Sequence, residues 1–389
     1  MMGFKLARKA LVIAGSAALL AGCQVIPRGP ATSTGPADPG PTPEPSATAL
    51  PTDETRHRVA LLVPLSGSNG RVGQSIANAT TMALLDTNAS NLRITTYDTA
   101  EGAREAARRA VADGNKLILG PLLSDNVPLV RAEARAAGVP LISYSNDESV
   151  AGPDAFVMGH LPGQSIERSV AFARSRGARS VAAIVPDGEY GRRAEMALTT
   201  ALNASGLSLA GIERYARGNT SVVSASERLK ARGGYDTVLI ADGARLAIQA
   251  AGVLKPGGAG NTQLLGTELW SGESSVTRAG ALRGAMFAAV SDARFKRFSD
   301  SYDTRFGGQP FRIATLGYDS VLLALRVARD WRVGRSFPTG RLFDEGGFLG
   351  LDGAFRFKRN GVVDRAMEVR QVRDGQVVIL DAAPQRFGE

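Results

Sequence analysis

The sequence is short of the residues that build disulfides and metal sites. Its 389 residues include one cysteine, Cys23, and two histidines, His57 and His160. A single cysteine cannot form an internal disulfide, and two histidines are too few for most zinc sites. We therefore expect neither a metal nor a cofactor.

Aromatic residues are also scarce, at 6% of the chain, and the basic residues do not form a block. The formal net charge is +9, but the arginines are scattered among acids such as Glu105, Glu133 and Asp303. A nucleic-acid surface needs a basic stripe with interleaved aromatic rings. The composition instead predicts an ordinary globular protein that binds no nucleic acid, while attraction to anionic polymers or lipid headgroups stays open.

The motifs of common catalytic sites are missing. There is no G-x-S-x-G, no P-loop and no G-x-G-x-x-G after a strand candidate, and two histidines cannot form H-E-x-x-H in this sequence. Asp187 and Glu189 are near enough for a carboxylate pair, but a Pro-Asp-Gly turn explains both. His160 is either a cleft residue or, as we favour, a hinge or buried histidine. We expect a protein that is not an enzyme.

The first 22 residues have the pattern of a bacterial signal peptide. Three basic residues in the first nine positions precede an apolar run over 10–21, far shorter than the ~20 residues that span a bilayer. The run ends in Leu20-Ala21-Gly22-Cys23, which resembles the lipobox of bacterial lipoproteins. The resemblance implies cleavage before Cys23 and acylation of its thiol, which would anchor the protein in a membrane. A conventional signal peptide is the alternative.

The residues after Cys23 predict where the protein is held. Gln24 stands where many enteric bacteria place Asp to retain a lipoprotein in the inner membrane, so that rule favours the outer membrane. The segment 23–56 is dense in Pro, Thr, Ser, Gly and Ala and cannot bury a core. We expect a lipidated tether with a reach of up to ~100 Å, on the periplasmic side.

From Arg58 the chain alternates short apolar runs with Ala-rich amphipathic segments. The apolar runs predict strands over 59–65, 92–97, 116–119, 140–144, 180–185, 236–241 and 263–266. The segments between them predict helices over 102–112, 127–137, 165–176, 192–204 and 224–232. This order predicts an α/β protein with two doubly wound parallel-sheet lobes.

The loops that follow the predicted strands are the candidate binding loops, since doubly wound sheets bind ligands beyond the carboxyl ends of their strands. These loops carry small, hydroxylated or aromatic side chains where helices begin. The candidate residues are Ser66, Ser124, Tyr144, Ser145, Tyr190 and Glu268.

An ordered set of segments over about 58–380 resembles the type I periplasmic binding proteins of the branched-chain amino acid (leucine-binding) class. The set consists of Val63-Pro64-Leu65-Ser66-Gly67 with Gly73, Leu119-Gly120-Pro121 to Ser124, Tyr190-Gly191, Gly317-Tyr318-Asp319, and Phe348-Leu349-Gly350-Leu351-Asp352-Gly353 ahead of Phe355 and Phe357. The resemblance implies three crossovers between two lobes. We place the first lobe at 57–160 and 290–345, and the second at 161–289 and 346–383.

The resemblance also implies roles for the candidate residues at a cleft between the lobes. The hydroxyls and amides around Ser124 and Ser145 would bind a carboxylate, Tyr190 would be a wall or donor, and Glu268 would bind an amine. Ser66 would lie beside them. For Ser66 and Ser145, the alternative that they only cap helices and form turns stays open.

One turn departs from the pattern of amino-acid binders, which usually have a Gly-Ala-Thr-like sequence there. This chain has Ser143-Tyr144-Ser145-Asn146-Asp147, in which Tyr144 would take the place of an amino-acid ligand. That turn, the segment 266–270, the lipobox and the tether look more like lipoproteins of the penicillin-binding-protein activator branch.

The resemblance therefore implies a non-catalytic envelope lipoprotein that regulates peptidoglycan synthesis by contact with a peptidoglycan synthase. The alternative is a solute receptor of an ABC importer, which would bind an amino acid or related small molecule and dock on a permease. A structural lipoprotein that has lost its ligand is a third possibility.

Overall fold

The structure is a computed structural model, and it describes residues 54–218, 220–258, 260–373 and 375–388. The expected signal peptide over 1–22, Cys23, Gln24 and nearly all of the expected tether lie outside those residues. Within the described part, no helix combines the length and the apolar character needed to cross a bilayer.

The strands and helices alternate along most of the chain. The strands are β1 (His57–Val63), β2 (Leu92–Asp98), β3 (Leu117–Leu119), β4 (Leu141–Ser143), β5 (Ala155–Val157), β6 (Ser180–Pro186), β7 (Ser208–Tyr215), β8 (Thr237–Ile240), β9 (Gln263–Gly266), β10 (Met286–Ala289), β11 (Phe348–Gly350), β12 (Gly353–Phe357), β13 (Val363–Arg365), β14 (Glu368–Arg373) and β15 (Gln376–Asp381). The helices are α1 (Gly70–Asp86), α2 (Ala103–Ala112), α3 (Asn126–Ala136), α4 (Pro162–Ser175), α5 (Glu189–Ser205), α6 (Ser221–Arg232), α7 (Ala244–Leu254), α8 (Ser274–Arg278), α9 (Phe295–Phe306) and α10 (Thr315–Ala328).

The first sheet is all parallel, with the strand order β2-β1-β3-β4-β5. Strand β1 is apolar almost throughout because helices cover both faces of the sheet. Val59, Leu61 and Val63 pack into the core on one face, and Ala60 and Leu62 pack into the core on the other. The strand order changes direction at β1, and this switch point makes the lobe doubly wound, as the sequence predicts.

The second sheet has the order β15-β14-β10-β9-β8-β6-β7. Strands β6 to β10 are parallel, and β6 alternates between two cores, with Ala182 and Ile184 on one face and Val181 and Ala183 on the other. Strands β14 and β15 add an antiparallel edge. The α/β class with two lobes is confirmed, but the antiparallel edge was not predicted.

Three predicted helices, α4, α5 and α6, begin three residues earlier than their apolar pattern indicates, and α6 begins at Ser221 and not at 224. Helix α4 begins at Pro162 and not at 165, because proline fits the first turn, where its missing N–H needs no partner. Helix α5 begins at Glu189 and not at 192, directly after Gly188, whose φ of 101° few other residues adopt. The earlier start places Tyr190 in the first turn of α5.

A three-stranded antiparallel sheet, β11-β12-β13, follows α10 and precedes β14 along the chain. Its side chains Phe355, Phe357 and Val363 belong to the same core as β1 of the first lobe, and Val157 of β5 bridges to Val362. The sequence placed residues 346–383 in the second lobe. We instead propose that the third crossover lies near 366, because packing groups this sheet with the first lobe.

Helices α9 and α10 return to the first lobe and pack on α1. The contact between α1 and α10 is close at Gly317, where an added Cβ would lie 2.5 Å from the backbone oxygen of Ile76. A glycine is therefore required for the two helices to approach this closely. This packing fixes the position of Asp319, one half-turn further along α10.

Candidate functional site

Two of the motifs that carry the family resemblance meet on the first-lobe side of the hinge. Asp319 of α10 accepts hydrogen bonds from the backbone N–H groups of Leu351, at 2.6 Å, and Asp352, at 3.4 Å. A Cβ on Gly350 would lie 2.3 Å from Asp319 Oδ2, so only glycine fits the β11–β12 turn against this carboxylate. The Gly-Tyr-Asp helix start and the Gly-Leu-Asp-Gly turn thus form one structural unit.

Asp352 is the centre of a buried charge network whose partners come from three segments: His160, the segment around the start of α10 with Arg312 and Thr315, and Arg365. Its Oδ1 accepts from Arg312 Nη1 at 2.6 Å, and its Oδ2 lies 2.7 Å from His160 Nε2 and 2.9 Å from Thr315 Oγ1. Arg365 Nη1 lies 3.9 Å away. His160 belongs to the first crossover and Asp352 to the β11–β12 turn, so this network ties the hinge together.

The charges around Asp352 determine which of the two neighbouring carboxyl groups, Asp319 or Asp352, is ionised. Burial alone would raise the pKa of Asp352, but Arg312, His160 and Arg365 hold it below its usual range. Burial and the neighbouring Asp352 charge raise the pKa of Asp319. Burial also lowers the pKa of His160. Asp352 is therefore the anion that balances the two buried arginines.

A third buried arginine, Arg370 of β14, ties the second lobe to the second crossover. Its Nε donates to Glu368 Oε1 at 2.7 Å, and its Nη1 donates to Asp292 and, at 3.3 Å, to Ser271 Oγ. Arg312 Nη2 lies 3.3 Å from Asp292 Oδ1. Asp292 thus contacts both Arg312 and Arg370. It connects the network around Asp352 with the network around Arg370.

Tyr190 and Glu268 meet at the carboxyl edge of the second sheet. The Tyr190 hydroxyl donates to Glu268 Oε1 at 3.0 Å and lies 2.9 Å from Thr267 Oγ1. Glu268 Oε2 is buried and has no hydrogen-bond partner among the described residues. Removal from water raises the pKa of Glu268 to about 7. At neutral pH the Glu268 carboxyl is therefore present in both its protonated and its ionised form.

A further cluster follows β7 and β8 along the same edge. Arg217 Nε donates to Asp242 Oδ2 at 2.9 Å, and its guanidinium lies 5.7 Å from the centre of the Tyr190 ring. The Tyr215 hydroxyl also donates to Asp242, while Trp270 Nε1 donates to the Asp242 backbone oxygen at 2.9 Å. These bonds fix Trp270 in the core, where it is 1% exposed.

The space between these groups is very small. A cavity of about 10 Å³ is lined by His160, Glu268, Ser271 and Arg312, with Ala289, Val290 and Met367 closing its walls. A single water needs ~10–15 Å³, and a drug-sized ligand pocket has ~300 Å³ or more. In this conformation the cavity has room for about one water and none for an amino acid.

The two lobes also touch directly outside the hinge. Arg193 of α5 donates to Asn146 Oδ1 at 3.1 Å and to Asp147 Oδ2 at 2.7 Å. Asn146 and Asp147 follow β4 in the first lobe, and the side chains of Arg193 and Asp147 are only 16% and 15% exposed. This contact holds the mouth of the cleft closed.

Tyr144 and Ser145 lie in the first lobe but do not line the small cavity. The Tyr144 side chain is in the core, and its hydroxyl lies 2.8 Å from Ser320 Oγ of α10. Ser145 is buried, and its Oγ accepts from the backbone N–H of Asp147 at 3.0 Å. Tyr144 thus packs behind the loop, and Ser145 stabilises the turn that presents Asp147 to Arg193.

Ser66 and Ser124 are not among the residues that line this cavity either. Ser66 Oγ lies 3.5 Å from Asp98 Oδ2, at the carboxyl ends of β1 and β2, and Ser124 Oγ lies 3.4 Å from Asp125 Oδ1. Asp98 also accepts from the backbone N–H of Leu65 at 2.8 Å. Of the six candidates, the structure therefore brings together only Tyr190 and Glu268 by direct contact.

Sequence reasoning missed the buried charges at the hinge. Arg312, Arg365 and Arg370 stand in segments with no recognisable motif, although Asp319 and Asp352 belong to the segments that carried the resemblance. Within the described ranges, no group of three or more His, Cys, Asp or Glu side chains is arranged to hold a metal ion. The carboxylates at the hinge are instead neutralised by arginine.

Comparisons with known proteins agree with this architecture. Residues 57–376 match the family model for periplasmic binding proteins. An uncharacterized protein of Rickettsia prowazekii is 28% identical over 159 residues, a match that covers 40% of this chain and 43% of that protein.

Solved structures share the fold at low sequence identity. A branched-chain amino acid ABC transporter periplasmic ligand-binding protein from Burkholderia xenovorans has a TM-score of 0.69 at 16% identity, covering 86% of this chain and 97% of its own. LivJ of Streptococcus pneumoniae, in complex with isoleucine, has a TM-score of 0.64 at 20% identity, with coverage of 85% and 100%.

A third solved structure is the C-domain of LpoA from Haemophilus influenzae, a regulator of PBP1A. It has a TM-score of 0.63 at 19% identity, covering 83% of this chain and 99% of that domain. The fold thus occurs both in solute receptors and in a regulator of a penicillin-binding protein. With two doubly wound lobes, a hinge built from its matching motifs and a family match over most of its length, this chain belongs to the periplasmic binding protein family.

Proposed function

We propose that this protein is a non-catalytic lipoprotein of the bacterial envelope that regulates peptidoglycan synthesis by contact with a penicillin-binding-protein synthase. A cavity of about 420 Å³ also lies between the lobes, near Asn146, Asp147 and Arg193, but neither Tyr190 nor Glu268 lines it. The observation that carries the proposal is the cavity of about 10 Å³ beside Glu268. A solute receptor needs a cleft that encloses its ligand, and no amino acid fits in this space.

The contacts between the lobes support the same conclusion. In a receptor, the ligand supplies much of the contact that favours closure over opening. Here the protein supplies it, because Arg193 of the second lobe binds Asp147 and Asn146 of the first lobe across the mouth. The closed form therefore has favourable contacts of its own, and a rigid body with a fixed outer surface suits recognition by another protein.

The N-terminal sequence adds the location. A lipid on Cys23 and a Pro-rich tether over 23–56 would hold the lobes in the periplasm at a distance of up to ~100 Å from the outer membrane. A delivery protein for an inner-membrane permease has no evident need for such reach, whereas a regulator anchored on the opposite membrane does. The likeness to the LpoA C-domain is consistent with this reading.

The direct test is an activity assay with purified components. We expect the protein to raise the rate at which a bifunctional penicillin-binding-protein synthase from the same organism polymerises and crosslinks peptidoglycan. Glu268→Ala should leave the stimulation unchanged, because Glu268 is enclosed between the lobes. A synthase rate that is the same with and without the protein would contradict the proposal.

The alternative, a receptor for an ABC importer, is favoured by one observation: the unpartnered Glu268 Oε2 beside the Tyr190 hydroxyl. An amine-bearing solute in an opened cleft would pair with this carboxylate. A thermal-shift screen with amino acids, amides and muropeptides separates the two functions, since a ligand at one hundred times its Kd adds ~2.7 kcal/mol of stability. A stabilising solute whose effect disappears in Glu268→Ala would establish the receptor.

A further inference from the structure

A second cavity lies at the opposite end of the first lobe, away from the interlobe cleft. Its volume is about 250 Å³, and it opens at the amino ends of β1 and β3. The residues that shape it are Arg56, His57 and Arg58 at the start of β1, Gly114 and Lys116 just before β3, and Trp331 after α10.

The charges that line this cavity all have one sign. Arg56, Arg58 and Lys116 are cationic, and no acidic side chain is among the lining residues. Two acids directly precede lining residues in the sequence, Asp113 and Asp330. The Asp113 carboxylate accepts from the Tyr97 hydroxyl at 2.6 Å, and Arg58 Nη1 donates to the Asp113 backbone oxygen at 2.6 Å, while Asp330 Oδ2 lies 3.4 Å from Arg341 Nε. The cavity therefore has a positive potential that no lining carboxylate offsets.

His57 adds a buried polar group that lacks a partner. It is 4% exposed, and its ring stacks on Trp331 with the ring centres 4.0 Å apart. Its Nδ1 is buried and has no hydrogen-bond partner among the described residues. Buried polar atoms are almost always paired, because an unpaired one forfeits its hydration without compensation. His57 thus contributes an aromatic ring with one unpaired nitrogen to the surroundings of a cationic cavity.

We propose that this cavity binds a phosphate group. The cations reach it from two strand ends, while His57 and Trp331 form an aromatic wall. Tetrahedral phosphate oxygens accept hydrogen bonds from several directions at once, and guanidinium and ammonium groups are the side chains that bind them best. The volume accommodates the phosphate together with part of the molecule that carries it.

A phosphate group in the envelope has two sources, free phosphate and the headgroup of an anionic lipid. The expected tether enters the folded part at 54–56, directly beside this cavity. Basic groups close to a membrane gain additional attraction from its negative surface potential. The site therefore suits a lipid headgroup, which the first lobe would bind when the tether lets it approach the membrane surface.

The first arm of the test uses inorganic phosphate and the two tryptophan indole N–H signals in NMR spectra of the purified protein. We expect the Trp331 signal to shift and the Trp270 signal, from the second lobe, to stay in place. Lys116→Ala should weaken binding by about tenfold or more, since a charge-assisted hydrogen bond is lost. The matched control, Lys296→Ala, removes the same charge from an exposed pair with Asp300 and should bind as the wild type does.

The second arm uses sedimentation with vesicles of phosphatidylcholine alone or mixed with phosphatidylglycerol. Binding to the mixed vesicles that Lys116→Ala and Arg56→Ala both weaken identifies a lipid headgroup, while binding of inorganic phosphate alone identifies the free ion. Either result supports the site. Absence of both kinds of binding overturns the proposal, as does an equal loss in Lys116→Ala and Lys296→Ala.

Discussion

Arg193 Nη2 lies 2.7 Å from Asp147 Oδ2, and this ion pair joins the second lobe to the first across the mouth of the cleft. Both side chains are largely buried, so water screens the pair less than it would screen a surface pair. Arg193 binds Asn146 with its other amino group at 3.1 Å. The closed conformation thus depends on a contact that the protein makes with itself.

Replacing Arg193 by Ala should open the cleft. The variant loses two charge-assisted hydrogen bonds, each worth about 1.5–3 kcal/mol, and leaves Asp147 without its cation. We expect a larger radius of gyration in small-angle X-ray scattering. Arg192→Ala is the matched control, because Arg192 is exposed and pairs with Glu189 of the same helix. An unchanged radius in Arg193→Ala would show that other contacts close the lobes.

Asp352→Asn should be among the most destabilising substitutions in the chain. Asp352 is 1% exposed, and its loss removes the counter-ion of the buried Arg365 and leaves Arg312 with Asp292 alone. Breaking a buried pair in this way costs about 3–5 kcal/mol. Urea unfolding should show that loss, whereas Asp300→Asn, which breaks an exposed pair with Lys296, should change stability by less than about 1 kcal/mol. Equal effects would contradict the role of the hinge network.

Glu268 should make stability fall as pH rises. Its pKa is about 7 in the folded protein and 4.5 when unperturbed, so between these values the folded state keeps a proton that the unfolded state releases. The contribution of Glu268 to stability is therefore greatest below pH 4.5 and declines up to pH 7, by about 2–3 kcal/mol. Glu268→Gln removes this decline. The difference in unfolding free energy between wild type and variant should change with pH, and a constant difference would refute the shift.

Cys23 should carry the membrane anchor. Because it is the only cysteine in the chain, a clickable palmitate analogue supplied to cells should label the wild type and not Cys23→Ala. The variant should also move from the membrane to the soluble fraction, since it loses the acyl chains that provide ~0.8 kcal/mol per buried CH₂. Labelling of Cys23→Ala, or membrane retention of that variant, would contradict lipidation at this residue.

Much of the fold could be predicted because parallel strands covered on both faces are continuously apolar, as the first strand shows from Val59 to Val63. The edge strand β7 was missed because it mixes exposed and buried residues and contains Gly211 and Glu213. Strands β14 and β15 form an antiparallel hairpin that the alternation of strands and helices does not anticipate. Long-range pairing, not local pattern, decides these elements.

The site was harder to predict than the fold. The proximity of Tyr190 and Glu268 could be predicted from the sequence, because both follow strands of one sheet at its carboxyl edge. The packing of Tyr144 against Ser320 was not, since it depends on where α10 returns to the first lobe. The roles of Arg312 and Arg365 could not be predicted, because they depend on burial beside Asp352, which the local sequence does not encode.

The most direct measurement of the proposed function is photocrosslinking in intact cells from single exposed positions on different parts of the surface. Leu85, Met196, Leu209, Leu349 and Ile379 are suitable, because each is a large apolar side chain that is at least 45% exposed. We expect mass spectrometry of the adducts to identify a penicillin-binding-protein synthase from at least one position and no ABC permease. Recovery of a permease component, with no peptidoglycan synthase from any position, would contradict the account.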